Sequence, residues 1–497
     1  MREVETGSAG GVTTADCPAV LNVSDDAFPI VDGSSTGLPK QTGQSLSYWL
    51  QGVRCDPLLD YRSTPELPSS ADIVVIGSGI TGTLVAKHCL ETWPEKSVVV
   101  LEAREFCSGA TGRNAGHCKP DQWRGFGKYQ NAFGTEHALQ ILQNEQETWE
   151  SLVKYVRDNN VDCDLWVGDT LDVAMTPEVA ALAKDNFERY QAAGGKVNHV
   201  KVTLNPDEAS RISRLKEAQA CFAWPASTLQ PWKLVAHVMR TNITHEPRFN
   251  LQTYTIVRQV TEASESRKWV VHSDRGAIEC SRVVHATNAY GAAVEPSLRG
   301  LVVPTPHMCN KVVPPASFAG SKALKNSYGV LLPDGALFSI NPRSTSDGVI
   351  MFGGSNPGQR KFREWLKKHP ERWTDDGLSE FPEITEAVKA LADGQLEGWA
   401  KAVPGPGTLY DYSWSGIIGN TTDGVPFIGE LPGLPGQWIC AGHNGHGMAR
   451  TFTAAPGLVR LMNGESWEET GLPNPYRITA ERLARLRGSS QEDIVGI

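Results

Sequence analysis

No stretch of this chain is strongly basic, and none stays apolar for the roughly 18 residues that a membrane helix needs. No C-x-x-C pair and no Cys/His cluster has the spacing of a metal site. The formal net charge of -9 and the pI near 5.8 leave nothing to neutralise a phosphate backbone, so neither nucleic acid nor a membrane is expected as a partner. The opening residues, MREVETGSAGGVTTADCP, lack the basic-then-apolar order of a secretory signal, and the ten cysteines are scattered. Free thiols in a reducing, cytoplasmic setting are the expectation. What the chain does have is core-forming material: 40% hydrophobic residues and 14 tryptophans over 497 positions, enough for more than one domain-sized unit around a small organic partner.

Residues 1–70 are rich in Gly, Ser, Thr, Pro and Asp and read as an N-terminal arm, with Tyr48 and Trp49 expected to anchor it against the cofactor domain. The texture then changes to IVVI, a continuous apolar run of the kind that a parallel strand buried on both faces requires. A helical pattern over Ile80–Trp93 and a second apolar strand, SVVVLEA, complete a strand–helix–strand unit. Further helices are predicted over Thr135–Val156, within Pro177–Ala193 and over Trp232–Thr241. QTYTIV, KWVVHS, GAIEC and RVVHAT read as short strands between polar turns, followed later by LVVP, ALFSI, VIMFGG and WICAG. The pattern predicts an α/β chain. A Rossmann-like dinucleotide domain is expected from 71–130, 225–300 and 412–470, with an inserted α+β substrate domain from 131–224 and 301–411 and a tail over 471–497.

IVVIGSGITG places Gly77, Gly79 and Gly82 in a G-x-G-x-x-G directly after that first strand, with Ser78, Ile80 and Thr81 filling the turn. The first glycine permits the tight turn, the second lets the backbone approach a pyrophosphate, and the third lets the helix lie close on the strand. Glu102 ends the second strand about 20 residues after Gly82, where a carboxylate accepts hydrogen bonds from ribose hydroxyls and repels the 2'-phosphate of NADP. Glycines, strand, helix and acid in this order predict a bound dinucleotide.

Five segments in order resemble the D-amino-acid oxidase (DAO) family of FAD-dependent oxidoreductases, and within it the sarcosine oxidase and gamma-glutamylputrescine oxidase branch. They are GSGITG with LEAR, SGATGRNAGH, VVHATNAYG, TTDGVPFIG and AGHNGHGM. The resemblance spans about Asp72 to Arg460 and implies a glutathione-reductase-like topology around FAD. It implies cofactor contacts at Ala103, Arg104, Ser108, Thr111, Gly112, Arg113, Asn114, Ala115, Gly116 and His117. Val257 is implied for the adenine, and Ala286, Thr287 and Asn288 for the pyrophosphate. Asp423, Gly424 and the run Gly442, His443, Asn444, Gly445, His446, Gly447 and Met448 are implied near the flavin. A helix N-terminus there would stabilise charge accumulating on the reduced ring.

The implied activity is oxidation of the C–N bond of a small amine or amino acid by hydride transfer to flavin, giving an imine and, with oxygen, hydrogen peroxide. Candidate catalytic residues are His117, His307, Arg343, Trp414, His443 and His446, with Arg343 a candidate bidentate anchor for a substrate carboxylate. The sequence departs from sarcosine oxidases in YDYSWSGIIGN, which has no cysteine for flavin attachment, so noncovalent FAD is expected; the oxygen-activating lysine finds only a rough match in Lys311. Two other readings stay open: a flavin-dependent dehydrogenase or tailoring oxidoreductase acting on a larger amine, and a flavin-binding protein without turnover.

Overall fold

The computed structural model describes residues 37–263, 268–399, 409–410 and 412–488. Two sheets organise them. In the first, five parallel strands run in the order Gln437–Ala441, Gly276–His285, Ser70–Ile76, Val98–Leu101 and Phe249–Gln252, with Phe427–Glu430 antiparallel at one edge. Ser70–Ile76 is central, and its Ile73, Val74 and Val75 are fully buried, as an apolar run without alternation predicts. Helices Ile80–Thr92, Pro231–Ile243 and Thr451–Met462 cover one face. The hairpin Val257–Glu262 with Trp269–Ser273 covers the other, packing Val257, Trp269 and Val271 against Val74 and Val99.

The second sheet runs Tyr412–Thr421, Val302–Val312, Ile350–Gly353, Leu337–Asn341, Ser327–Leu331, Trp166–Ala174, Ala220–Thr228 and His117–Cys118, with Lys201–Thr203 beside Ala220–Thr228. Only Ser327–Leu331 and Trp166–Ala174 pair in parallel. Helices Thr135–Asp158 and Pro177–Ala192 match their periodic patterns; the second starts on Thr176, whose side chain accepts from the Val179 amide. None of the helices among the described residues is long and apolar enough to cross a membrane.

Several expectations are corrected. QTYTIV is not a strand: Gln252 ends one strand and Val257 begins another, and between them Tyr254 takes a φ of 49°. The Thr253 and Thr255 hydroxyls donate to the carbonyls of Tyr61 and Thr253, and such local bonds compete with a ladder. GAIEC and RVVHAT fuse into Gly276–His285, because the Ser281 hydroxyl that looked like a turn donates to the Asp72 carbonyl instead. Tyr412–Thr421 pairs along Val302–Val312, from Val302 with Thr421 to Lys311 with Tyr412, and therefore belongs to the second sheet, as do residues 225–228. Of the C-terminal tail, residues 471–488 pack onto the body: Tyr476 is fully buried, and Arg482 grips Asp423 bidentately at 2.8 Å on both oxygens. Residues 1–36 and 489–497 lie outside the described residues.

The described part of the arm, 37–69, is built into the body. Trp49 is fully buried, its indole N–H donates to the Asn114 carbonyl at 2.6 Å, and the Ser47 hydroxyl donates to the Gly112 carbonyl at 2.5 Å. Asp376 completes the clasp. Its carboxylate takes two hydrogen bonds of 2.9 Å from Arg104 and lies 3.2 Å from Arg113 Nε, while its carbonyl receives the Ser45 amide. Removing one partner of a buried ion cluster leaves the others uncompensated, so Asp376→Ala is expected to lower unfolding stability by about 3–5 kcal/mol in urea titration. Asp423→Ala, which strands Arg482, is expected to fall in the same range; a loss below about 1 kcal/mol for either would show these clusters to be incidental.

Candidate active site

The loop after Ser70–Ile76 turns on Gly77 at a φ of 108°, where a β-carbon would stand 2.7 Å from the Ala286 carbonyl oxygen. At Gly82 a β-carbon would lie 1.9 Å from the Gly77 oxygen, so the third glycine serves close approach of helix and strand. Gly79 caps helix Ile80–Thr92 with no side chain, leaving the helix N-terminus open toward the crevice at the carboxyl ends of the parallel strands. Glu102 sits at the end of the neighbouring strand; its oxygens accept from the Ser78 amide and hydroxyl and from the Arg104 amide, and one face stays on the crevice.

That crevice continues as one cavity of about 1340 Å³, larger than a site for one small molecule needs. Gly77, Gly79, Ile80, Thr81, Glu102, Ala103, Thr111, Asn114, Ala115 and His117 line it, as do Val257, Ala286, Thr287, Asn288, Gly424 and His443 to Met448. Several buried polar atoms in its wall have no partner: Thr287 Oγ1, Thr422 Oγ1, both ring nitrogens of His117 and Nδ1 of His443. Unsatisfied donors and acceptors beside a glycine cradle and the Glu102 carboxylate fit a polar dinucleotide.

Two asparagines shape the far wall. Asn288 Oδ1 accepts the amides of Gly442 and His443 at 3.2 Å, and Asn444 bonds to Thr421 and to the Gly442 carbonyl. Loop Gly442–Gly447 is thereby stapled between the sheets, with His443 Nε2 3.4 Å from the Thr81 hydroxyl. Beyond it a 3-10 turn, Gly447–Ala449, leads into helix Thr451–Met462. Arg450, fully buried at the junction, donates to the His443 carbonyl and the Tyr129 hydroxyl and pairs with Glu145 at 3.0 Å.

Four candidate histidines, His117, His307, His443 and His446, line the cavity. Burial pushes His117 and His443 down to about 3, helped by the Lys119 and Arg450 charges respectively, and His307 down to about 4, with Arg363 adding to the effect. His446, 3.8 Å from Glu145, is also lowered by burial against the pull of that carboxylate.

Other candidates are placed elsewhere. Arg343 lies outside the cavity wall, tied to Asp164 at 3.1 Å and Asp347 at 3.0 Å and stacked 4.8 Å from the Trp49 ring. It therefore has no free fork for a substrate carboxylate. Trp414 is fully buried with its indole N–H on the Arg113 carbonyl, packed with Trp49, Cys309 and Met351 behind the site. Asp423 is spent on Arg482. Arg104 and Arg113 border the cavity, yet both guanidiniums turn to Asp376, and Arg113 also donates to the Ser108, Ser45 and Ser415 carbonyls. Ser78, Gly82, Ser108, Gly112, Gly116 and Gly442 stand one layer behind the wall; a β-carbon at Gly112 would meet the Cys107 oxygen at 2.4 Å. Lys311 points its ammonium at the Tyr412 ring, outside the cavity.

Sequence reasoning passed over the cationic wall of Lys119, Arg124 and Lys128. Lys119 and Arg124 share Asp172, and Arg124 also holds Asp121 at 2.7 Å. The only signal was the basic residues of KPDQWRGFGK, whose facing direction depends on the short strand His117–Cys118 and the helix Phe126–Phe133 that follow the glycine-rich stretch.

A histidine whose folded pKa lies below the ordinary 6.5 favours the native state only while it is neutral. Stability should thus be full above pH 6.5 and fall as the pH drops from there toward about 4 and then 3. Urea midpoints at stepped pH will check this, with a shallower acid slope for His307→Gln; an unchanged slope would show that His307 does not set it. Trp49→Phe keeps the ring but loses the bond to the Asn114 carbonyl. At about 1 kcal/mol per bond it is expected to weaken dinucleotide retention about fivefold in equilibrium dialysis.

Residues 72–461 match the family model described as DAO, FAD dependent oxidoreductase. The chain is 24% identical over 403 residues to gamma-glutamylputrescine oxidoreductase of Escherichia coli (strain K12), covering 80% of this chain and 84% of that protein. It is 26% identical over 254 residues to glycine oxidase of Pseudomonas aeruginosa, covering 49% and 59%. Among solved structures, glycine oxidase from Geobacillus kaustophilus matches with a TM-score of 0.62 at 19% identity over 83% of this chain and 99% of that one. Iminodiacetate oxidase from Chelativorans sp. BNC1 matches at 0.60 and 17% identity over 79% and 96%. With the cradle, the acid and the cavity in place and the family model spanning most of its length, this chain belongs to the DAO family of FAD-dependent oxidoreductases.

Proposed function

We propose that this enzyme oxidises the C–N bond of a small amine or amino acid, with noncovalently held FAD and with oxygen as the final acceptor. One observation carries the reading: the cavity that holds the glycine cradle is also lined by His117, His307 and His446, whose pKa values burial lowers, and by buried ions that are paired. FAD held there would supply the two-electron chemistry: acceptance of a hydride from the carbon next to nitrogen, with an imine left for water to hydrolyse.

The chain's own residues supply position and proton balance. A neutral His307 or His117 ring nitrogen accepts a hydrogen bond from the substrate amine, which favours its uncharged, hydride-donating form. The Asn288 and Asn444 staples hold the loop Gly442–Gly447 without reorganisation. The paired strands bearing His307 and Gly416 form one wall of the pocket. Relatives named for gamma-glutamylputrescine and glycine support an amine or amino acid as substrate. Nine cysteines are free among the described residues, which fits a reducing, cytoplasmic setting.

A dehydrogenase is the second reading, favoured by one feature: Lys311, the rough match to an oxygen-activating lysine, faces Tyr412 rather than the cavity. The flavin absorbance of the FAD-loaded protein, followed under anaerobic conditions with primary, secondary and tertiary amines and amino acids, decides the matter. One class is expected to bleach the bands, and admitted air to restore them with one peroxide per turnover. Bleaching without recovery in air would establish the dehydrogenase, and no bleaching by any amine would sink both readings.

A further inference from the structure

The glycine cradle and Glu102 fix the direction in which a dinucleotide runs, with its pyrophosphate at the turn of Gly77 and Gly79 and its adenosine beyond Glu102, toward residues 255–258. That end of the cavity has two lips. One is the end of strand Val98–Leu101 with Glu102, Ala103 and Arg104 after it; the other is the short helix Gly291–Val294, whose Ala292 and Ala293 line the same space. The N-terminal arm reaches both. Its Gly37, Leu38 and Pro39 line the cavity, although they lie outside the two sheets and precede the first parallel strand by some 30 residues.

On the helix lip, a β-carbon at Gly37 would stand 3.6 Å from that of Ala293. On the strand lip, the Arg104 guanidinium donates to the Lys40 carbonyl at 3.4 Å, and the half-exposed Lys40 ammonium pairs with Asp375 at 2.5 Å. Between these points Leu38, itself half-buried, packs against the apolar cluster that holds Ile76, Leu101, Val257 and Val294. One long hydrogen bond, one exposed ion pair and one partly buried leucine are contacts that open readily. The next part of the arm is held far more firmly, with the Ser45 amide on the Asp376 carbonyl and Trp49 fully buried. Gly43 lies between the two regimes at a φ of 78°, with no atom near the place a side chain would occupy, so a bend there meets no steric resistance.

We propose that residues 37–39 form a strap across the adenosine end of the FAD site: they supply one wall of the adenosine subsite, and they lift about Gly43 when the cofactor enters or leaves. The inference rests on the dinucleotide site alone and stands whether or not the enzyme oxidises amines. Adenosine and the closed strap would each shield apolar surface of the other, Leu38 and Val257 included, so that a bound cofactor and a closed arm favour one another. Exchange of the cofactor then waits on the arm, while the phosphate cradle and Glu102 decide where the dinucleotide lies.

The test uses cofactor exchange rather than turnover. In the double variant Gly37→Cys with Ala293→Cys the two β-carbons stand at a separation that a disulfide spans, so oxidation should fasten the strap. The bridge is made once on FAD-loaded protein and once on protein stripped of FAD, with each single variant as the control for other thiols. Release of FAD on dilution and uptake of FAD by the stripped protein are both expected to slow at least about tenfold when the bridge is present, and to recover on reduction with dithiothreitol. In a separate arm, Leu38→Ser is expected to weaken calorimetric binding of ADP, which carries the adenosine half alone, about fivefold in the stripped protein, while binding of FMN is unchanged. Exchange at the unbridged rate in bridged protein overturns the proposal. So does failure of the two thiols to join, since the arm then does not lie against Ala293. ADP binding equal to that of wild type in Leu38→Ser, or ADP and FMN weakened alike, overturns the assignment of residues 37–39 to the adenosine wall.

Discussion

The Asp376 carboxylate, buried between two arginines, is the point at which the chain's distant parts are tied. Arg104 leaves the end of the second parallel strand and Arg113 the glycine-rich stretch, and both reach it. Through Arg113 the same node collects the carbonyls of Ser45 from the arm and Ser415 from the second sheet. Such a cluster adds little net stability over an apolar replacement, but it tolerates only one arrangement, since any shift leaves a guanidinium desolvated. The register of the 111–117 stretch against both sheets therefore depends on it, and with it the wall along which the dinucleotide lies.

Around the cavity the same economy of charge recurs. Asp172, Asp121 and Glu145 each meet a basic partner, which leaves Glu102, held by amide and hydroxyl donors, as a cavity carboxylate without an ion pair among the described residues. The imidazoles are desolvated and beside cations, which holds them neutral at physiological pH.

Four residues read as site groups from the family's segments, Arg343, Trp414, Asp423 and Arg113, prove to be held by the fold. Each lies close in sequence to a lining position, which is all that a motif reports. Whether a side chain turns into the cavity or away from it is set by partners far along the chain: Asp164 for Arg343, Arg482 for Asp423, Asp376 for Arg113, and Trp49 with Cys309 and Met351 around Trp414. Lys128 went the other way, inconspicuous in a polar stretch yet lining the cavity.

By itself the sequence determined the dinucleotide unit and the family, because those follow from local rules. An apolar run buries on both faces, glycine alone fits a φ of 108° against a carbonyl at 2.7 Å, and an acid stands at the next strand end on the same crevice. It also determined the long helices, through their period. Only the tertiary structure decided that the arm clasps the nucleotide stretch, that Tyr412–Thr421 joins the second sheet, and that residues 471–488 lock onto Asp423. It alone decided which charges face the cavity, for pairing and side-chain direction are properties of segments that meet across hundreds of residues, and no spacing along one chain encodes them.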